Sequence, residues 1–95
     1  MSDQPSSLQD VRAGIDAVDV RLVALLAERE QLVRRAGRLK GDPAAVPAPD
    51  RVEQVVAKAR ALAAGHGADQ DVVERTYRAM IAAFIDLEPT ETDRG

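Results

Sequence analysis

Ninety-five residues with a formal net charge of −3 make one small domain, and that balance argues against non-specific nucleic-acid binding. Cysteine is absent, which excludes disulfides, thiolate zinc sites and thiol nucleophiles, and a single histidine, His66, cannot build a His-rich metal centre. Aromatic residues are 2% of the chain, so the core has to be aliphatic, and no stretch alternates cleanly enough to read as a strand.

The N-terminal "MSDQPSSLQD" has no apolar segment of the signal-peptide kind, and no run approaches the length of a membrane span. A soluble, cytoplasmic protein with no membrane association is expected. Residues 1–6 form a polar arm, expected to be disordered, and residues 7–88 form the folded domain. The first helix should run from about Ser7 to Lys40, roughly 50 Å at 1.5 Å per residue. Its apolar residues, Leu8, Val11, Ile15, Val18, Leu22 and Leu25, then Leu32, Ala36 and Leu39, step at intervals of three and four. That spacing is the seam of a helix that packs against other helices. The next seam position after Leu25 is residue 29, which is arginine. A charge on a buried seam is costly unless something pairs with it, so the seam either breaks there or opens onto an anion.

"GDPAAVPAP", Gly41 to Pro49, should be a loop, because three prolines and a glycine cannot continue a helix. A second helix is expected at "DRVE", with Asp50 as cap and Glu53 completing a capping box. Its apolar side is Val52, Val55, Val56, Ala59 and Leu62, and "GHG" (Gly65 to Gly67) should stop it. Asp69 is the next expected cap. The third helix turns Val73, Tyr77, Met80, Ile81, Phe84 and Ile85 inward and should end at Pro89, leaving residues 89–95 as a polar tail. The expected fold is all-α, with one long helix, two shorter ones and no internal repeat. The long seam exceeds what the rest of the chain can cover, and an antiparallel homodimer would cover it.

The charges fall in a pattern. Arg29 and Lys40 stand 11 residues apart, on nearly the same face and about 16 Å apart along the axis, leaving room for a small anion between their long side chains. Arg12 lies 17 residues before Arg29, about 25 Å away, and cannot reach that anion from its own chain. In an antiparallel dimer with its dyad near Leu22 and Val23, Arg12 of the partner subunit arrives level with the gap. Arg51 stands in the first turn of the second helix, where backbone N–H groups already favour an anion. Glu88 follows Tyr77, Met80 and Phe84 at spacings of three, four and four, which places it on the inward stripe with Phe84.

Each residue also has an ordinary reading. Arg29 could snorkel or pair with Glu30 or Glu88, and Arg12 with Asp16 is a common i,i+4 pair. Arg34, Arg35 and Arg38 read as a solvated face without the aromatic interleaving of a single-strand binder. His66 reads as an exposed residue at the helix end, and Glu88 as the end of the third helix.

Taken together, "VRAGIDAVDVRLVALLAER", then "RRAGRLK", then "VPAPDRV" resembles the all-helical (AroQ-type) chorismate mutase family over about residues 8–88. The shared pattern is an Arg in R-x-x-I-D-x-x-D, an Arg closing L-L-x-x-R, a Lys 11 residues on, and an Arg opening the second helix. The resemblance implies an intertwined homodimer with two sites for a small dianionic substrate and no cofactor or metal. It implies that Arg12 from the partner chain and Arg29 hold substrate carboxylates, and that Lys40 contacts a carboxylate and the ether oxygen. Arg51 would support the site, with Val52 and Phe84 lining it, and Glu88 would hydrogen-bond the ether oxygen. A neutral Glu88 can donate that bond, whereas an ionised one would repel a dianion. The implied reaction is the pericyclic rearrangement of chorismate to prephenate. The "VPAPDRV" loop and Val52, where mutases usually carry a carboxylate, look most like the isochorismate pyruvate lyases, which yield salicylate and pyruvate. Glu88 departs from the glutamine expected in those lyases. An aminodeoxychorismate mutase and a non-catalytic helical dimer are the remaining alternatives.

Overall fold

A computed structural model describes residues 7–40 and 49–94, with the backbone alone at residue 40 and residues 88–94. Among the described residues the chain is three α-helices, α1 (Leu8–Lys40), α2 (Pro49–His66) and α3 (Gln70–Arg94). The expected arm, residues 1–6, and most of the expected loop, residues 41–48, lie outside the described residues. The chain divides into two compact units, Met1–Leu32 and Val33–Gly95.

In the first unit α1 starts where the sequence puts it. Ser7 accepts a hydrogen bond at its Oγ from the backbone N–H of Asp10 (3.1 Å), and its carbonyl accepts from Val11 N–H (3.0 Å). Asp10 in the first turn adds the charge that a helix N-terminus favours. The apolar stripe forms as read, but it is bare. Relative exposure is 63% at Leu8, 54% at Ile15, 50% at Leu22 and 59% at Leu25. Leucines on a long helix that gain no cover contribute little to folding.

The second unit holds α2 packed on α3. The turn between them is a Schellman motif: Ala68 N–H donates to the Ala63 carbonyl (2.8 Å) and Gly67 N–H to the Ala64 carbonyl (3.3 Å). Gly67 takes φ 73°, the left-handed conformation that glycine adopts without a Cβ clash. Asp69 caps α3 as expected, its Oδ1 accepting from Val72 N–H (3.0 Å). With so short a turn, α2 and α3 run antiparallel. Val56, Ala59, Ala63 and Ile81 are buried, and the small alanines let the two backbones come close.

Four expectations are corrected. Pro49 opens α2 instead of ending the loop, because its fixed φ suits a first helical turn and its missing N–H is not needed there. Asp50 therefore lies inside the first turn instead of capping it, and Glu53 turns to Arg78 instead of closing a capping box. Leu62 is 52% exposed while Ala63 is buried, because the packed stripe steps 52, 56, 59, 63. α3 also continues through Pro89 to Arg94. Proline's φ is helical, so the helix can continue past it at the cost of one backbone hydrogen bond and of crowding between its ring and the preceding turn.

An ion-pair ladder zips the hairpin along one edge. Arg78 of α3 donates from Nη1 and Nη2 to both carboxylate oxygens of Glu53 on α2 (2.9 Å each) and from Nε to Glu74 (2.8 Å). Arg60 of α2 donates to Glu74 (2.8 Å) and Asp71 (2.9 Å) on α3, and Gln70 Nε2 donates to the Arg60 carbonyl (3.0 Å). The Arg78 hydrogen bonds hold both the Glu53 and the Glu74 carboxyls below the usual range, with Arg60 adding to the effect at Glu74.

Because these folded-state values are depressed, the ladder stabilises fully above the unfolded glutamate value of about 4.3 and is lost as pH falls through the lower folded values. An Arg78→Met variant should melt below wild type at pH 7 and lose less of its melting temperature on acidification to pH 3, measured by circular dichroism. An equal acid loss in both proteins would show that the ladder does not govern acid stability.

Candidate active site

The seven residues singled out by the sequence fall on both units. In the first, Arg12 is exposed on α1 and Arg29 is half-buried, following Leu22 and Leu25 and preceding Leu32 along the stripe. Their separation of 17 residues in one continuous helix keeps them about 25 Å apart. One chain does not bring these two guanidiniums together.

In the second unit Lys40 is the last residue of α1. Arg51 sits in the first turn of α2, exposed, and Val52 beside it is half-buried. Phe84 is half-buried on α3 and Glu88 follows one turn later on the same helix. The hairpin register gathers four of these. Arg51 lies 16 residues before Gly67 and Phe84 lies 15 after Asp69, so both are about 22–24 Å from the turn along antiparallel helices. Arg51, Val52, Phe84 and the backbone position of Glu88 therefore share the open end of the hairpin.

That end has the makings of an anion site. The first turn of α2 presents backbone N–H groups that have no acceptor within the helix, and Arg51 adds a full charge, partly offset by Asp50 in the same turn. Val52 and Phe84, both half-buried, lie at the same end of the hairpin. His66 is exposed at the far end of α2, where α2 stops, as read from the sequence. Sequence reasoning missed the Arg60 and Arg78 ladder. Glu74 and Arg78 at i,i+4 were visible as a pair, but the link to Glu53 needs the hairpin register. No helix among the described residues is long and apolar enough to cross a membrane.

Residues 11–89 match a protein-family model described as chorismate mutase type II. An isochorismate pyruvate lyase of Pseudomonas aeruginosa is 34% identical over 80 residues, spanning 84% of this chain and 79% of the relative. The matched span contains all seven candidates, from Arg12 to Glu88.

Proposed function

We propose a chorismate mutase from one established premise: the chain belongs to the type II chorismate mutase family. The reading is a cytoplasmic enzyme that rearranges chorismate to prephenate without a cofactor. The observation that carries it is the basic set Arg12, Arg29, Lys40 and Arg51, which lies within the matched span of a chain whose described residues form three helices.

The chemistry suits such a site. In the rearrangement the ether C–O bond breaks as a C–C bond forms, in one cyclic flow of electrons. No proton moves and no enzyme nucleophile is used. The protein has to hold a dianion in its compact diaxial conformer and stabilise negative charge growing on the ether oxygen. Arg29 and Arg12 of the partner subunit would clamp the two carboxylates. Lys40 would reach a carboxylate and the ether oxygen, and Glu88, as a neutral acid, would donate to that oxygen. Arg51 would raise the local positive potential, while Val52 and Phe84 keep water from the reacting centre.

The dimer is part of the proposal. The bare stripe on α1 and the 25 Å between Arg12 and Arg29 support it together: the cover that the leucines lack and the arginine that the site lacks would come from one second copy. Leu62, exposed on α2, would gain cover in the same way.

A second reading, isochorismate pyruvate lyase, is favoured by two observations. A relative of that name is 34% identical, and Val52 stands where a carboxylate could meet a ring hydroxyl. Incubating the pure protein with chorismate and, separately, with isochorismate distinguishes the two. Prephenate from chorismate is the expected product. Salicylate and pyruvate from isochorismate, without prephenate formation, would make the lyase the primary activity.

Arg29→Leu extends the apolar stripe of α1 and removes the guanidinium that a substrate carboxylate would meet. Turnover of the preferred substrate should fall about a hundredfold or more, the scale for losing one donor to developing charge. Near-native turnover in this variant would remove Arg29 from the site.

A further inference from the structure

The exposed stripe of α1 carries a second pattern beside it. Arg21 and Glu28 stand seven residues apart, nearly two turns, so they lie on the same flank of the stripe, about 10 Å apart along the axis. Both are exposed. Among the described residues neither makes an ion pair within the chain. The helix offers them none: the positions three and four residues away from Arg21 are Ala17, Val18, Ala24 and Leu25. Those around Glu28 are Ala24, Leu25, Gln31 and Leu32. Arg12, by contrast, has Asp16 four residues on.

We infer that Arg21 and Glu28 pair between two copies of α1, and that these pairs fix the antiparallel direction and the register of the dimer. The inference rests on the dimer reading above. Laying stripe against stripe in antiparallel fashion sets Leu22 opposite the partner's Leu25, Val18 opposite the partner's Arg29, and Ile15 opposite the partner's Leu32. No stripe residue then faces a flanking one. In that register Arg21 lies beside the partner's Glu28 on the same side of the interface, and the two-fold axis repeats the pair. Parallel alignment does the opposite. It puts Arg29 against the partner's Arg29 on the seam and leaves Arg21 and Glu28 facing apolar neighbours. The charges therefore favour one direction and penalise the other, as flanking charges do in paired helices.

The test is a charge swap read by analytical ultracentrifugation. Arg21→Glu alone, or Glu28→Arg alone, sets like charges against each other twice per dimer, and should weaken dimerisation about tenfold or more. Arg21→Glu combined with Glu28→Arg should restore the wild-type dissociation constant. Mixing the two single variants should give a heterodimer tighter than either homodimer, since both of its pairs are then complementary. Neither residue belongs to the candidate active site. A wild-type dimer that both single variants match in affinity would overturn the pairing while leaving the dimer in place. Single variants that weaken the dimer without rescue by the double swap would overturn it too. A wild-type chain that stays monomeric at tens of micromolar would overturn the dimer reading itself.

Discussion

The long apolar stripe of α1, with an arginine set into it, is the constraint on which the rest depends. A 33-residue helix with exposed leucines along its face gains little from folding unless that face is buried. Arg29 makes the burial conditional. A charge on a seam of leucines packs only with compensation, and on the proposed account an anion adds to what Arg29 already meets in the chain. On the proposed account the second copy covers the stripe and the substrate meets the arginine. Assembly and substrate binding then draw on the same helix face.

The α2–α3 hairpin answers a different need. Its core is thin, with Val56, Ala59, Ala63 and Ile81 as the buried residues, and its edge is closed by charges. The two arginines, Arg60 and Arg78, each hold two carboxylates, and Glu74 accepts from both. Glu74 is the least exposed carboxylate of the ladder, at 28%, and sits where the two arginines converge. Such a network adds direction and register more than bulk stability. Its consequence for function is positional: with the turn fixed at Gly67 and the ladder fixing the register, Arg51 and Val52 come level with Phe84 at the open end.

Much of this was legible in the sequence because it depends on period and punctuation. The three-four spacing from Leu8 to Leu39 gives α1, Ser7 and Asp69 cap helices as their residue types suggest, and Gly67 marks the turn. What failed depended on choices the local pattern leaves open. Pro49 is acceptable both in a loop and at a helix start, and the helix won. Leu62 and Ala63 are both apolar, and the small residue went inward because the helices approach closely there. Glu53 had two partners available and took Arg78 across the hairpin over its own cap. Of the candidate site, the order along each helix was readable, whereas the grouping at the open end needs the hairpin register. The proposed meeting of Arg12 with Arg29 would need two chains: helix arithmetic in the sequence suggests it, and the fold of a single copy does not display it.

The central claim is that each active site takes Arg12 from one subunit and Arg29 from the other. The most direct measurement mixes an Arg12→Ala chain with an Arg29→Ala chain, each inactive alone, and follows turnover after subunit exchange has been verified by mass. One of the two sites in every heterodimer would then hold both arginines. The account predicts that activity returns toward half the wild-type value per heterodimer. Activity that stays at the level of the single variants, with heterodimers present, would contradict it.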